Sequence, residues 1–359
     1  MKKQRTALIG LAHPHAITLY HAVKNQPQAF EIIGFADVPP AESLTYEARR
    51  AVLINEGVQE YENWRELLAL QPDFAIITAD NAACEEVACA FLATGVHVLL
   101  EKPMAVTYAA AKRMMNLAAE RGVHVLTNWP IAWFPTFRLA KKLLDEGRIG
   151  KLMRVTYRSP ATWGAFSYDK SGNLPPEEEL KKSWWYSAVR GGGSVLDYAC
   201  YGVMLSTWMF GHAAKRVSGM TKNFCVPFAE VEDYSAMMLD FGEGIGLLEG
   251  SWSTFNCGEV PTGPVLYGTE GVIVCDRHMP TLKLYKGKSH GPVPPVEVFE
   301  PKPINQAEAL GAHLAQVLCE NAPPDEMLTP ALNVAVTAAL EAGARSAKTG
   351  ITEKTEYAE

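Results

Sequence analysis

The sequence predicts two domains: a parallel, doubly wound α/β sheet over residues 1–127, then an α+β unit with an antiparallel sheet over 128–359. Three observations predict this. The chain has 359 residues, more than the roughly 250–300 at which a single core stops growing. Its first third alternates short β-branched apolar runs with helix-length stretches, the pattern of right-handed crossovers in a parallel sheet. Beyond residue 128 strand-like segments follow one another across short turns.

In chain order, strands are expected at 6–9, 32–36, 74–78, 96–100 and 124–127, with helices such as 85–94 and 107–121 between them. A helix over about 136–146 opens the second part. Strands at 152–158, 216–224, 234–241 and 246–253 come next. Between the last two, FGEGIG reads as a hairpin turn, since glycine accepts positive φ. Helices at 306–320 and 330–348 close the chain, and the polar tail TEKTEYAE is expected to fray.

Composition excludes several functional classes. A formal net charge of −7 without a block of like charge argues against nucleic acid or an anionic membrane as the main partner, leaving a small molecule. The seven cysteines stand singly with no C-x-x-C, which suits reduced thiols in a cytoplasm. The apolar run after the basic start is too short for a signal peptide and stops at His13. No stretch approaches the roughly 18 apolar residues of a membrane span.

Four features bear chemistry. The first, GLAHPHA over residues 10–16, sits where a dinucleotide phosphate loop joins strand to helix, but keeps only Gly10 of G-x-G-x-x-G, with Ala12 and His15 at the other two glycine positions. A metal site on His13 and His15 would need a third ligand, and the neighbouring sequence supplies no matching set, so none is expected. The second, Asp37, ends the strand IIGFAD, 22 residues after His15. There a carboxylate can accept from ribose hydroxyls and repel a 2′-phosphate, and Val38-Pro39-Pro40 offers no cation to hold one. NAD is therefore expected over NADP. Its alternative is a turn residue before two prolines.

The third, Lys102 in HVLLEKPMAVT, follows a buried-looking strand, and ligands bind at the carboxyl ends of such strands. A solvated loop lysine is the alternative. The fourth is RGGGSVLDYACYGVML: a glycine turn, Ser194 as a helix cap, and Asp197 and Tyr201 four residues apart on one helical face. Its alternative is a capping box at Asp197 with Tyr201 as a core aromatic.

These pieces, together with NWRELLAL, FAIITADNAAC, LLDEGRIGKL, GLLEGSWSTF and LYGTEGVIVCD, resemble the glucose-fructose oxidoreductase, inositol dehydrogenase and rhizopine-catabolism (Gfo/Idh/MocA) family over almost the whole chain. The resemblance implies an N-terminal Rossmann domain, a C-terminal domain with a large, mostly antiparallel open sheet, and hydride transfer between nicotinamide and a sugar or polyol. Its lysine, here Lys102, would contact both the nicotinamide ribose and the reacting hydroxyl. Asp197 is the implied partner aspartate. Tyr201 stands where many members carry histidine, as in the branch with glucose-fructose oxidoreductase, dihydrodiol dehydrogenase and xylose dehydrogenases.

The implied cofactor contacts are Gly10, Ala12, His13, His15, Asp37, Thr78, Asn81, Glu101 and Lys102; the substrate contacts are Lys102, Trp129, Trp163, Trp184, Asp197 and Tyr201. Where the family has P-N-x-x-H, this chain has Asp80, Asn81 and Cys84, and tryptophans fill the TNWPIAWFP loop where many relatives carry arginine. The aromatic-rich stretch 163–186 is read as a substrate lid or as ordinary packing between domains.

The expected mechanism has Tyr201 as acid/base, its pKa lowered by the Lys102 cation, Lys102 binding the developing alkoxide, and Asp197 orienting the sugar through a second hydroxyl. A homodimer or homotetramer through the second sheet is expected by analogy. Three functions stay open: an NAD-dependent dehydrogenase, a redox-neutral enzyme that oxidises and re-reduces a sugar or glycoside within one turnover, and a nucleotide-binding relative without chemistry.

Overall fold

The computed structural model describes residues 2–39, 46–160, 175–255, 259–277, 279–287 and 291–357. Trp163, with its neighbours Phe166 and Tyr168, lies outside them.

Six parallel strands make the first sheet: β1 (Gln4–Ile9), β2 (Phe30–Ala36), β3 (Glu60–Tyr61), β4 (Phe74–Ile77), β5 (His97–Glu101) and β6 (Val125–Asn128). Their spatial order, β3-β2-β1-β4-β5-β6, reverses between β1 and β4, which opens a crevice at the carboxyl ends of those strands. The helices α1 (Ala16–Lys24), α2 (Tyr46–Asn55), α3 (Trp64–Ala69), α4 (Cys84–Ala93) and α5 (Tyr108–Arg121) connect them.

Local chemistry explains several boundaries. Asn63 and Glu66 form a reciprocal capping box on α3, Thr107 caps α5 through the Ala110 N–H, and Gly122 ends α5 at φ 65°. Strand residues alternate between two cores, with Ala7, Ile9, Ile77 and Leu100 on one face and Leu8, Ile76, Leu99 and Leu126 on the other. The second core continues without a break into the other domain.

That domain begins with α6 (Pro135–Asp145) and β7 (Leu152–Pro160), followed by α7 (Glu177–Leu180) and α8 (Cys200–Phe210). Its remaining strands are β8 (Arg216–Lys222), β9 (Tyr234–Asp240), β10 (Ile245–Ser251), β11 (Val265–Gly268), β12 (Gly271–Cys275), β13 (Leu282–Lys286) and β14 (Glu297–Phe299). Then come α9 (Gln306–Glu320), α10 (Pro330–Thr349) and β15 (Glu353–Lys354).

Nine strands form one open sheet, β14-β13-β12-β11-β7-β10-β9-β8-β15. All its pairs are antiparallel except β7 with β10, where a strand from before α8 meets one from after it. The expected hairpin joins β9 and β10 in antiparallel register, with Gly242 at φ 93°. Helix α8 is buried on every side save Phe210, as a helix lying between layers must be.

Two expectations change. The tail does not fray over 353–355: β15 pairs with β8, and Thr355 is buried with its hydroxyl on the Ala214 carbonyl. Ser194 does not cap a helix either. Its hydroxyl donates to Ser235, while the Val195 N–H goes to the Glu232 carboxylate. Finally, α9 lies against α1 of the first domain at Gly311, where a Cβ would stand 2.1 Å from the Ala22 carbonyl oxygen.

Candidate active site

At the end of β1 the chain turns through Gly10 at φ 82°, and a Cβ there would fall 2.6 Å from the Ala79 nitrogen. Only glycine fits that approach. The loop that follows is held from all sides. Thr78 sits beneath it: its hydroxyl donates to Gly10 O and its carbonyl accepts from the His13 N–H. Asp37, at the end of β2, accepts from the Leu11 N–H at 3.2 Å. Burial raises the pKa of Asp37, against the pull of its backbone donors, Tyr46 and Arg49.

Two residues brace the loop carbonyls, a role the sequence did not announce for either. Arg49, from α2, donates to Leu11 O at 2.6 Å and Ala12 O at 3.2 Å, and burial lowers its pKa to about 10. Val38-Pro39-Pro40 indeed carries no cation, but Arg49 reaches the neighbourhood of Asp37 through the fold, 12 residues along the chain. The second is Trp184, whose indole donates to Ala12 O at 3.2 Å. Trp184 is fully buried, stacked on Trp185 at 3.9 Å, so this end of the aromatic stretch packs beneath the loop.

The loop histidines differ in environment. His13 is buried against Trp185, its Nδ1 accepts from the His15 N–H, and its Nε2 has no partner among the described residues. Burial first, then the positive neighbours His15, Lys102 and Arg49, hold its pKa well below the usual value, so it is neutral. His15 begins α1 and its Nδ1 lies 2.9 Å from Glu101 Oε1; Asn128 donates to the other Glu101 oxygen. The ligand atoms of His13, His15 and Glu101 lie within 4.8 Å of one another, so the third ligand missing from the neighbouring sequence is supplied by Glu101 of β5.

On β4's side, Asn81 donates to the Gly191 carbonyl at 2.8 Å, tying the first domain to the glycine turn of the second. Asp80 caps the Ala83 N–H, and Cys84 is buried with its pKa pushed up by that burial, which removes it as a nucleophile.

Lys102 follows β5 across a cis peptide to Pro103 and is 2% exposed. Its ammonium donates to Asp197 Oδ1 and to the Asp197 carbonyl, both at 2.8 Å, and stands 4.8 Å from the centre of the Tyr201 ring. Asp197's second oxygen accepts from the Trp252 indole at 2.8 Å. Both carboxylate oxygens are therefore engaged by protein donors. Burial alone would depress Lys102, but Asp197 and Tyr201 hold its pKa well above the ordinary value.

Asp197 and Tyr201 do not share one α-helical face. Residues Val195–Ala199 form a π turn, and α8 begins after it. Gly191 and Gly193, at φ 74° and 103°, bring the chain into that turn, and Gly192 passes so close to Trp185 that a Cβ would lie 2.1 Å from its carbonyl oxygen. The expected lowering of the Tyr201 pKa is also overturned. Tyr201 is 3% exposed, and burial raises its pKa further than Lys102 and Arg277 lower it. The ammonium stands over the ring face, and its pull on the phenol is outweighed by burial. Trp129, fully buried, packs edge-on against Tyr201 at 5.7 Å and gives its indole N–H to Asn333.

A parallel sheet of order β3-β2-β1-β4-β5-β6, a glycine loop at its switch point, a carboxylate ending β2, and a buried lysine after β5 define a dinucleotide-binding oxidoreductase fold. Residues 4–129 match the oxidoreductase family with an NAD-binding Rossmann fold (Gfo/Idh/MocA), and 137–274 match that family's C-terminal domain. The chain belongs to the Gfo/Idh/MocA family.

An uncharacterized oxidoreductase of Schizosaccharomyces pombe is 24% identical over 239 residues, 66% of this chain and 60% of that protein. The trans-1,2-dihydrobenzene-1,2-diol dehydrogenase of Xenopus laevis is 24% identical over 248 residues, 67% of this chain and 68% of that one. A levoglucosan dehydrogenase solved with NADH and levoglucosan superimposes with a TM-score of 0.78, at 18% identity, over 99% of this chain and 100% of that one.

Proposed function

We propose that the protein transfers a hydride between the nicotinamide of NAD and a hydroxyl-bearing carbon of a sugar or polyol. One observation carries this reading: a protonated lysine after β5, fixed by an aspartate of the second domain and lying over a tyrosine ring. The tight turn at Gly10, where a Cβ would strike the Ala79 backbone, and the carboxylate of Asp37 suit a dinucleotide loop, and Asp37 favours NAD over NADP by repelling a 2′-phosphate. His13, His15, Asn81 and Glu101 border the same crevice. NAD, when bound, supplies the hydride acceptor, and its reduced form the donor.

The chain's own groups manage the proton. In oxidation the substrate carbon loses hydride, its hydroxyl loses a proton, and a C=O bond forms; reduction reverses each step. Lys102, kept cationic by Asp197, stabilises the oxygen that gains negative charge. The Tyr201 hydroxyl, held protonated by burial, is the proton donor toward a carbonyl. Asp197 positions Lys102, Trp252 positions Asp197, and Trp129 props Tyr201. With both titrating groups protonated near neutrality, the site is set for carbonyl reduction, and oxidation gains as the pH rises.

Two further proposals concern the molecule as a whole. The open face of the large sheet carries exposed Met220 and Met238 beside Tyr234 and a groove of about 560 Å³, which suits a second copy; light scattering should give a dimer or tetramer. Among the described residues no helix is long and apolar enough to cross a membrane, and the free cysteines support a cytoplasmic compartment.

The test is incubation with NAD and a panel of aldoses, inositols and glycosides. The proposal predicts accumulating NADH, abolished in Lys102→Ala at unchanged circular dichroism. Product without net NADH points to the redox-neutral reading, and undetectable nucleotide binding removes both enzymatic readings.

A further inference from the structure

A second cation stands beside the reaction centre and has no part in the proton chemistry. Arg277 lies just past β12, and its guanidinium carbon is 5.5 Å from the centre of the Tyr201 ring, the ring that Lys102 approaches at 4.8 Å. It also faces Tyr157, Tyr198 and Asp197. Asp197 cannot serve both cations closely, because one oxygen is on Lys102 and the other on Trp252. Among the described residues Arg277 forms no ion pair, although the surface arginines 50, 65 and 216 all do.

The surroundings are those of a built site. A guanidinium does not release its proton, and in a half-buried position it favours a ligand that brings the missing negative charge. Beside it on β7 the Tyr157 hydroxyl and Ser159 Oγ are buried close to each other, and neither makes a well-formed hydrogen bond to a described residue. Arg277 also lines a cleft of about 210 Å³ with Trp133, Phe134 and Met279, which gives a small molecule a way in.

We propose that the substrate carries a carboxylate and that Arg277 receives it, so that the substrate is a sugar acid, an aldonate or uronate, and not a neutral sugar. The planar fork of the guanidinium pairs two N–H groups with two carboxylate oxygens, while Tyr157 and Ser159 are available to sugar hydroxyls. The inference rests on the dehydrogenase reading for where the substrate lies.

The experiment uses the full chain with saturating NADH. Calorimetry compares D-galacturonate with D-galactose and D-gluconate with D-sorbitol, with glucose 6-phosphate as a further arm. At least one acid should bind about thirtyfold or more tightly than its neutral partner, and Arg277→Gln should erase that preference without weakening NADH binding. Arg277→Lys, which keeps the charge and loses the fork, should restore part of it. Equal affinities, no acid binding, a preference that survives in Arg277→Gln, or a phosphate ester bound in place of the acids would overturn the inference. Turnover with NAD in the same samples is read separately. Acid binding through Arg277 without turnover removes the dehydrogenase reading alone; neutral sugars turned over without preference remove the carboxylate alone.

Discussion

Replacing Asp197 with Asn should destabilise the protein by about 3 kcal/mol near neutral pH, and the loss should shrink as the pH rises. Lys102 and Asp197 are 2% and 4% exposed and 2.8 Å apart, so removing the carboxylate strands a buried ammonium. Breaking such a pair costs about 3–5 kcal/mol; the lower end applies because the Asp197 carbonyl still accepts from Lys102. The amide offers one oxygen to two donors, so either Lys102 or Trp252 meets an NH2 group.

The pH dependence follows from the sign of the Lys102 shift. In the parent protein its pKa is raised, so its stabilising contribution is complete below the unfolded value and is lost only as pH passes the folded value. Without the carboxylate, burial, the largest influence on Lys102, acts unopposed by Asp197 and depresses the folded pKa. The variant then gains stability between that depressed value and about 10.4, where an unfolded lysine titrates. Urea unfolding between about pH 7 and pH 10 would test this. A loss that is the same at every pH, or one under about 1 kcal/mol, would refute the buried ion pair as the anchor of the site.

Two other perturbations probe the cofactor loop. Gly10→Ala puts a methyl 2.6 Å from the Ala79 nitrogen at φ 82°, so NAD binding should disappear from calorimetry while the Tm falls. Trp184→Phe removes the donor to Ala12 O and should raise the Kd for NAD roughly fivefold, the effect of one neutral hydrogen bond; an unchanged Kd would show that this brace does not support the loop.

Local features were legible in the sequence. Buried parallel strands are short apolar runs, and the five first-domain strands expected from them are present; the two-residue β3 was too short to register. Lys102 and Asp197 stand in motifs that announce a strand end and a glycine turn, and the fold brings them into contact. What remained hidden depends on distant chain. Arg49, Trp252 and Arg277 act on groups 37, 55 and 76 residues away, and no spacing in the sequence ties them to those groups. The π turn at Val195–Ala199 has no local signature either, and the Glu232 carboxylate from a distant segment takes the Val195 N–H at its start. For Trp184 the sequence left lid and packing both open, because an aromatic loop reads alike whether it covers a substrate or props a backbone; its N–H on Ala12 O is a packing contact. The pKa direction of Tyr201 depended on burial, which spacing cannot report.

The central claim is that Lys102 stays cationic and that Tyr201, protonated near neutrality, must lose its proton before it can accept the substrate's in oxidation. It is tested most directly by the pH dependence of kcat in the two directions, followed through NADH absorbance. Oxidation should climb from about pH 6 to about pH 10 without a neutral plateau, while reduction stays level over the same range, and Tyr201→Phe should flatten the climb. A plateau in oxidation beginning near pH 7, kept in Tyr201→Phe, would place the proton on another group and contradict the account.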